Sequence, residues 1–177
     1  CVEEARGQAR AAAERLAEAA GLPVVVGEPS CATMITEEWG PLGVAAPGSV
    51  RDLFVYLQER ASPRSVTRSV SAAGAASSPS AWVHDHCHAR AAGWGGAAAA
   101  ALVGAGVVAR TVAGSCCGMA GSFGYGAAHY DLSMKMGRDL AADIPAGAPV
   151  AAAGFSCRTQ LSGILGRPVV HPAAWLR

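Results

Sequence analysis

The sequence predicts an α/β fold, a parallel sheet with flanking helices built from two pseudo-repeated half-units, with cysteines at the carboxyl ends of its strands. Short apolar, β-branched runs alternate with stretches at helical spacing, which argues for βαβ units. The segments PVVVGEPSCAT from Pro23 and PVAAAGFSCRT from Pro149 match at Pro, Val, Ser, Cys and Thr in one register. That echo puts Cys31 and Cys157 at equivalent places in the two halves. Finally, Cys31, Cys87, the Cys116–Cys117 pair and Cys157 each follow an expected strand and precede an expected helix.

Taken in order, Glu3 to Ala20 is rich in helix formers with acidic residues early, and Gly21 stops it. Leu22 to Val26 reads as a buried strand running into Gly27, Glu28 and Pro29. Val50, Leu53, Phe54 and Leu57 share one helical face, so a helix is expected from Val50 to Glu59 with Ser49 as its cap. Residues 62–80 are Ser- and Ala-rich with two prolines and read as a surface linker between a first lobe (1–61) and a second (81–177). In the second lobe the reading is strand at Ala81–His84, helix at Ala89–Val103 and strand at Gly106–Val112. It continues with a helix at Ala127–Ala142, a strand at Pro149–Ala153, a helix at Cys157–Leu165 and a last strand at Pro168–Val170.

The 177 residues suit one compact domain, and 51% hydrophobic content suffices for a core of Ala, Val and Leu, given only 6% aromatics. A net charge of +1 without a basic stripe argues against a nucleic-acid partner. The longest apolar stretch, Ala91 to Val108, is broken by five glycines, so no membrane-spanning segment is expected. With no export signal and two adjacent cysteines among six, metal or redox chemistry is a better reading than a disulfide framework. A cytoplasmic location follows, including the inner face of a membrane.

Loops leaving the carboxyl ends of parallel strands converge on one crevice, so the strand-end thiols are expected to meet. A nearby helix N-terminus stabilises a thiolate, the form that ligates metal. The opposing reading, inert buried cysteines, is common in cores but does not account for the shared placement. In His84-Asp85-His86-Cys87-His88, consecutive residues cannot all face inward; His86 and His88 are the candidates for ligation or proton movement. Gly118, Gly121, Gly124 and Gly126 allow backbone N–H groups close to a ligand, and Arg90 and Arg158 could offset thiolate charge. Neither dinucleotide nor phosphate-loop fingerprints are present.

The motifs HDHCH, GSCCGMAGSFGY, HYDLSMKMG and GFSCRTQ, in that order, resemble the cysteine-rich CCG domain of iron-sulfur oxidoreductases over nearly the whole chain. The likeness is greatest to the C-terminal part of FAD-linked oxidases of the glycolate oxidase, D-lactate and D-2-hydroxyglutarate dehydrogenase type, and more distant to the cysteine-rich subunit of heterodisulfide reductase. The resemblance implies an electron-transfer module in which Cys87, Cys116, Cys117 and Cys157 ligate one [4Fe-4S] centre and Cys31 closes a preceding half-repeat. It also implies a C-terminal fragment, lacking an upstream double-Cys, that works with an FAD-containing dehydrogenase and a ferredoxin-like domain and passes electrons to a quinone or another acceptor. Alone it would oxidise no substrate. Gln160 stands where the heterodisulfide reductase pattern has its last cysteine, which counts against that family's non-cubane cluster. Two alternatives stay open: a structural zinc module, and thiol-disulfide chemistry at Cys116 and Cys117.

Overall fold

The computed structural model describes residues 2–19, 21–60, 79–114 and 116–176. It is a mixed α/β chain with two parallel sheets and helices against them. Helix α1 (Val2–Ala17) is followed by β1 (Val24–Val26), α2 (Pro29–Thr33), a π-helical turn at Met34–Glu38, β2 (Val50–Asp52) and α3 (Leu53–Arg60). The second part comprises β3 (Ser80–His84), α4 (Cys87–Ala91), α5 (Ala97–Gly104), β4 (Val108–Thr111), α6 (Tyr130–Ala142), β5 (Val150–Ala152) and α7 (Phe155–Leu165). Short 3-10 turns lie at Phe123–Tyr125, Ala127–His129 and Pro172–Trp175.

β1 pairs in parallel with β2, Val24 opposite Val50. In the other sheet β3 is central, with β4 on one side and β5 on the other, all parallel. Both faces of that sheet are covered. Ala81 and Val83 pack with Phe54 of α3 and Ala97, Ala98 and Leu102 of α5. The opposite face carries Val112, Val150 and Ala152 against Leu140 and Ala141 of α6 and Leu161 of α7, with Trp82 packed on it. Leu102 and Leu161 are wholly buried, and truncating either to Ala would cost about 2–5 kcal/mol. The first part has a small core of its own, Ala9, Trp39 and Val44, but its α3 lies in the second part's core, so the two lobes are not independently packed.

The structure differs from the sequence expectation in the extent of four elements. Residues 50–52 are strand, not helix: pairing with β1 satisfies their backbone, and Asp52 rather than Ser49 caps α3, its Oδ1 accepting from Phe54 N at 2.8 Å and Val55 N at 3.3 Å. The helix expected over Ala89–Val103 is two helices, because Gly93 (φ +78°) and Gly96 (φ +81°) reverse the chain between them. Residues 127–129 form a 3-10 turn before α6, and the last expected strand reduces to one parallel bridge, Val170 to Ala151. The turn of helix at Pro29–Thr33 has no counterpart in the sequence expectation. Residues 61–78, most of the expected linker, and Cys1 lie outside the described residues; Ser80 begins β3. Among the described residues no helix is long and apolar enough to cross a membrane.

Candidate functional site

Cys87, Cys116–Cys117 and Cys157 leave the carboxyl ends of β3, β4 and β5, three adjacent strands of one sheet. Neighbouring strands are only ~4.8 Å apart, so their outgoing loops are forced together. The result is a group of four thiols in which every pair interacts electrostatically. Cys31 leaves β1, which belongs to the other sheet; it is exposed, and the charge that acts on it is Glu28 rather than a thiolate.

The four thiols are not equivalent. The Cys157 S–H donates to Cys117, which with burial (1% exposed) pushes the Cys157 thiol far up and helps pull Cys117 down to about 6. The N–H of Met119 and the residue's own N–H also support the Cys117 thiolate against the cost of its burial. Gly118 N–H lies 3.3 Å from Cys116 Sγ. Burial, then the neighbouring Cys116, raises Cys87. Of the pair, Cys157 keeps its proton and Cys117 is the thiol more easily ionised.

The loop geometry explains why glycine stands after the pair. Gly118 has φ +90°, and a Cβ there would sit 2.4 Å from the Ser133 carbonyl oxygen of α6. The close seat turns its N–H toward sulfur. Gly121 (φ +67°) has open space around it, and its neighbour Ala120 takes φ +40°, uncommon for a residue with a side chain. Gly121 thus serves the turn.

The histidines divide by role. His86 caps α4, its Nδ1 accepting from His88 N at 3.1 Å, so its proton is on Nε2, which faces Glu28 Oε1 at 3.8 Å. His86 has no lone pair left for a metal, contrary to the sequence expectation of a ligand. His88 differs: Nδ1 is 2.6 Å from Thr33 Oγ1, whose own proton goes to the Ser30 carbonyl at 3.2 Å. Its Nδ1 is then the donor and its Nε2 carries a lone pair, the orientation a ligating or proton-accepting imidazole needs. His84 is 2% exposed, and neither ring nitrogen has a partner. Burial, Arg90 and His86 lower it to about 4, so it is neutral at pH 7.

Arg158 does not face the thiols: its Nη1 donates to the carbonyl of Ala152, at 3.0 Å, and to that of Ala153. Gln160 is also turned away. Buried at 8% exposure, its Nε2 donates to the Ser133 carbonyl at 3.0 Å and hydroxyl at 3.1 Å, clamping α7 to α6 across Gly137, whose missing side chain makes the room. Sequence reasoning missed Glu28, which caps α7 from another sheet by accepting from Phe155 N at 2.7 Å while holding Ser30 Oγ at 2.9 Å. Its place after a strand and before Pro29 was the available signal. It also missed Thr33 and His84; for His84 the signal was its parity with Trp82.

Among the described residues no group of three or more His, Cys, Asp or Glu side chains is arranged to hold a single metal ion. In comparisons with known proteins the chain matches no family model, no curated protein and no solved structure.

Proposed function

We propose that this chain is an electron-transfer module whose four strand-end thiols, Cys87, Cys116, Cys117 and Cys157, hold an iron-sulfur cluster. The observation that carries the reading is the gathering of four thiols from three adjacent strand ends, with all six pairs interacting. Thiolate is the ligand such clusters require. Gly118 aims an N–H at the Cys116 sulfur, and His84, whose buried ring nitrogens have no partner, ends the strand that leads to Cys87. When bound, the cluster supplies one-electron storage. The chain's own part is to favour the Cys117 thiolate, exclude water with the α6 and α7 core, and direct N–H groups at the sulfurs.

A second reading is a zinc site. Three or four of the same thiolates would hold the ion in a closed tetrahedral set, with His88 Nε2 as a further candidate ligand. The resemblance noted in the sequence extends the iron-sulfur reading to a flavin-linked 2-hydroxy-acid dehydrogenase system, with a ferredoxin-like relay and a quinone or other acceptor, working in the cytoplasm.

Anaerobic reconstitution of the chain with iron and sulfide tests it. Expected are iron and acid-labile sulfide in near-equal amounts, a brown protein, loss of both in Cys117→Ser and Cys157→Ser, and retention in Cys31→Ser. Colourless protein with stoichiometric zinc would move the reading to the second alternative. A two-proton mass deficit in unreduced, metal-free protein would instead point to a Cys116–Cys117 disulfide.

A further inference from the structure

His84 stands three residues before Cys87, and neither of its buried ring nitrogens has a partner among the described residues. It ends β3 on the same face as Trp82, since side chains two apart in a strand share a side. Its register partner on β5 is Ala152; on the other flank Val112 extends the β4 pairing, its N–H bonding the Val83 carbonyl at 2.9 Å. Ala152, Val112 and Trp82 all pack in the core cluster that contains Cys117 and Cys157. The imidazole is therefore held on the cysteine face of the sheet, at the strand end from which the ligand loops depart. Asp85, next in sequence, accepts from Gly96 N at 2.9 Å, and His86 caps α4, so neither serves His84.

A neutral imidazole sealed from water with an unmet N–H costs about 1–3 kcal/mol, and such groups in a folded protein call for an explanation. Resting on the iron-sulfur reading, we propose that His84 is a positioning residue for the centre, its ring N–H donating to a sulfur of the bound cluster. The sulfur that accepts it is supplied only when the cluster is present, which accounts for the missing partner. A hydrogen bond to sulfur favours the reduced, more negative state and so raises the reduction potential.

The test uses the full chain reconstituted anaerobically with iron and sulfide, comparing wild type with His84→Phe, which fills the space without a donor, and His84→Asn, which restores an N–H. Expected is unchanged iron and sulfide per chain in all three, a midpoint potential shifted negative in His84→Phe, and partial return in His84→Asn. Should both variants fail to fold, pulsed EPR on the reduced wild type with 15N-histidine decides: a weak ring-nitrogen coupling supports the bond and its absence overturns it. A midpoint in His84→Phe equal to wild type, as expected if an internal water satisfies the ring, also overturns it while leaving the cluster reading intact. A wild type that takes up no iron or sulfide overturns both.

Discussion

At one turn the chain leaves β1 after Val26, passes Glu28 at the N-cap and sets Cys31 at the third position of a helix. At the other it leaves β5 after Ala152, passes Gly154 at the N-cap and sets Cys157 at the third position of a helix. Local sequence and local backbone are closely alike, yet Cys31 is exposed and outside the thiol group while Cys157 is buried within it. The difference is the sheet each strand joins. β5 lies in a sheet covered on both faces and beside β3, which with β4 leads to the other thiols, whereas among the described residues β1 pairs with β2 alone and its middle residue, Val25, is exposed.

The two turns should diverge most strongly at their glycines. A Cβ on Gly154 would sit 2.0 Å from the His86 ring, while one on Gly27 of the first turn meets nothing within 4 Å. Gly154→Ala should lose about 1–3 kcal/mol in denaturant unfolding, and Gly27→Ala should stay within about 0.5 kcal/mol. Next are the residues three beyond each cysteine. Gln160→Ala removes two buried bonds to Ser133 and should cost about 2 kcal/mol without changing iron content. Met34→Ala, at a 43% exposed position, should cost less than about 0.5 kcal/mol in the same assay.

The smallest expected effect sharpens the contrast between the thiols. Partial burial and then the Glu28 carboxylate raise Cys31. Glu28→Gln removes the charge but keeps an oxygen for Phe155 N, so the Cys31 pKa falls. At a pH below that pKa its thiolate fraction, and its alkylation rate, should rise by less than about tenfold. The rate-pH profile should move to lower pH. Cys157, which is governed by its bond to Cys117, should not respond.

Much was legible in the residue pattern alone because it depends on near neighbours. Short apolar runs placed β1, β3, β4 and β5 to within two residues, and helix formers placed α1 and α6. The boundaries that failed had two causes. Val50, Arg51 and Asp52 are strand because β1 lies beside them, and the α4–α5 break follows two glycines that helical periodicity alone passes over.

The α/β class, and the place of Cys31, Cys87, Cys116–Cys117 and Cys157 a few residues past a strand, were readable from the residues because hydrophobic period and turn residues act over a few positions. Long-range packing sets which thiols meet, turns Gln160 into a clamp between two helices, spends His86 on a cap and seals His84 in without a partner. Strand order and the choice of sheet are non-local, and in this chain they separate Cys31 from Cys157 despite their shared local code.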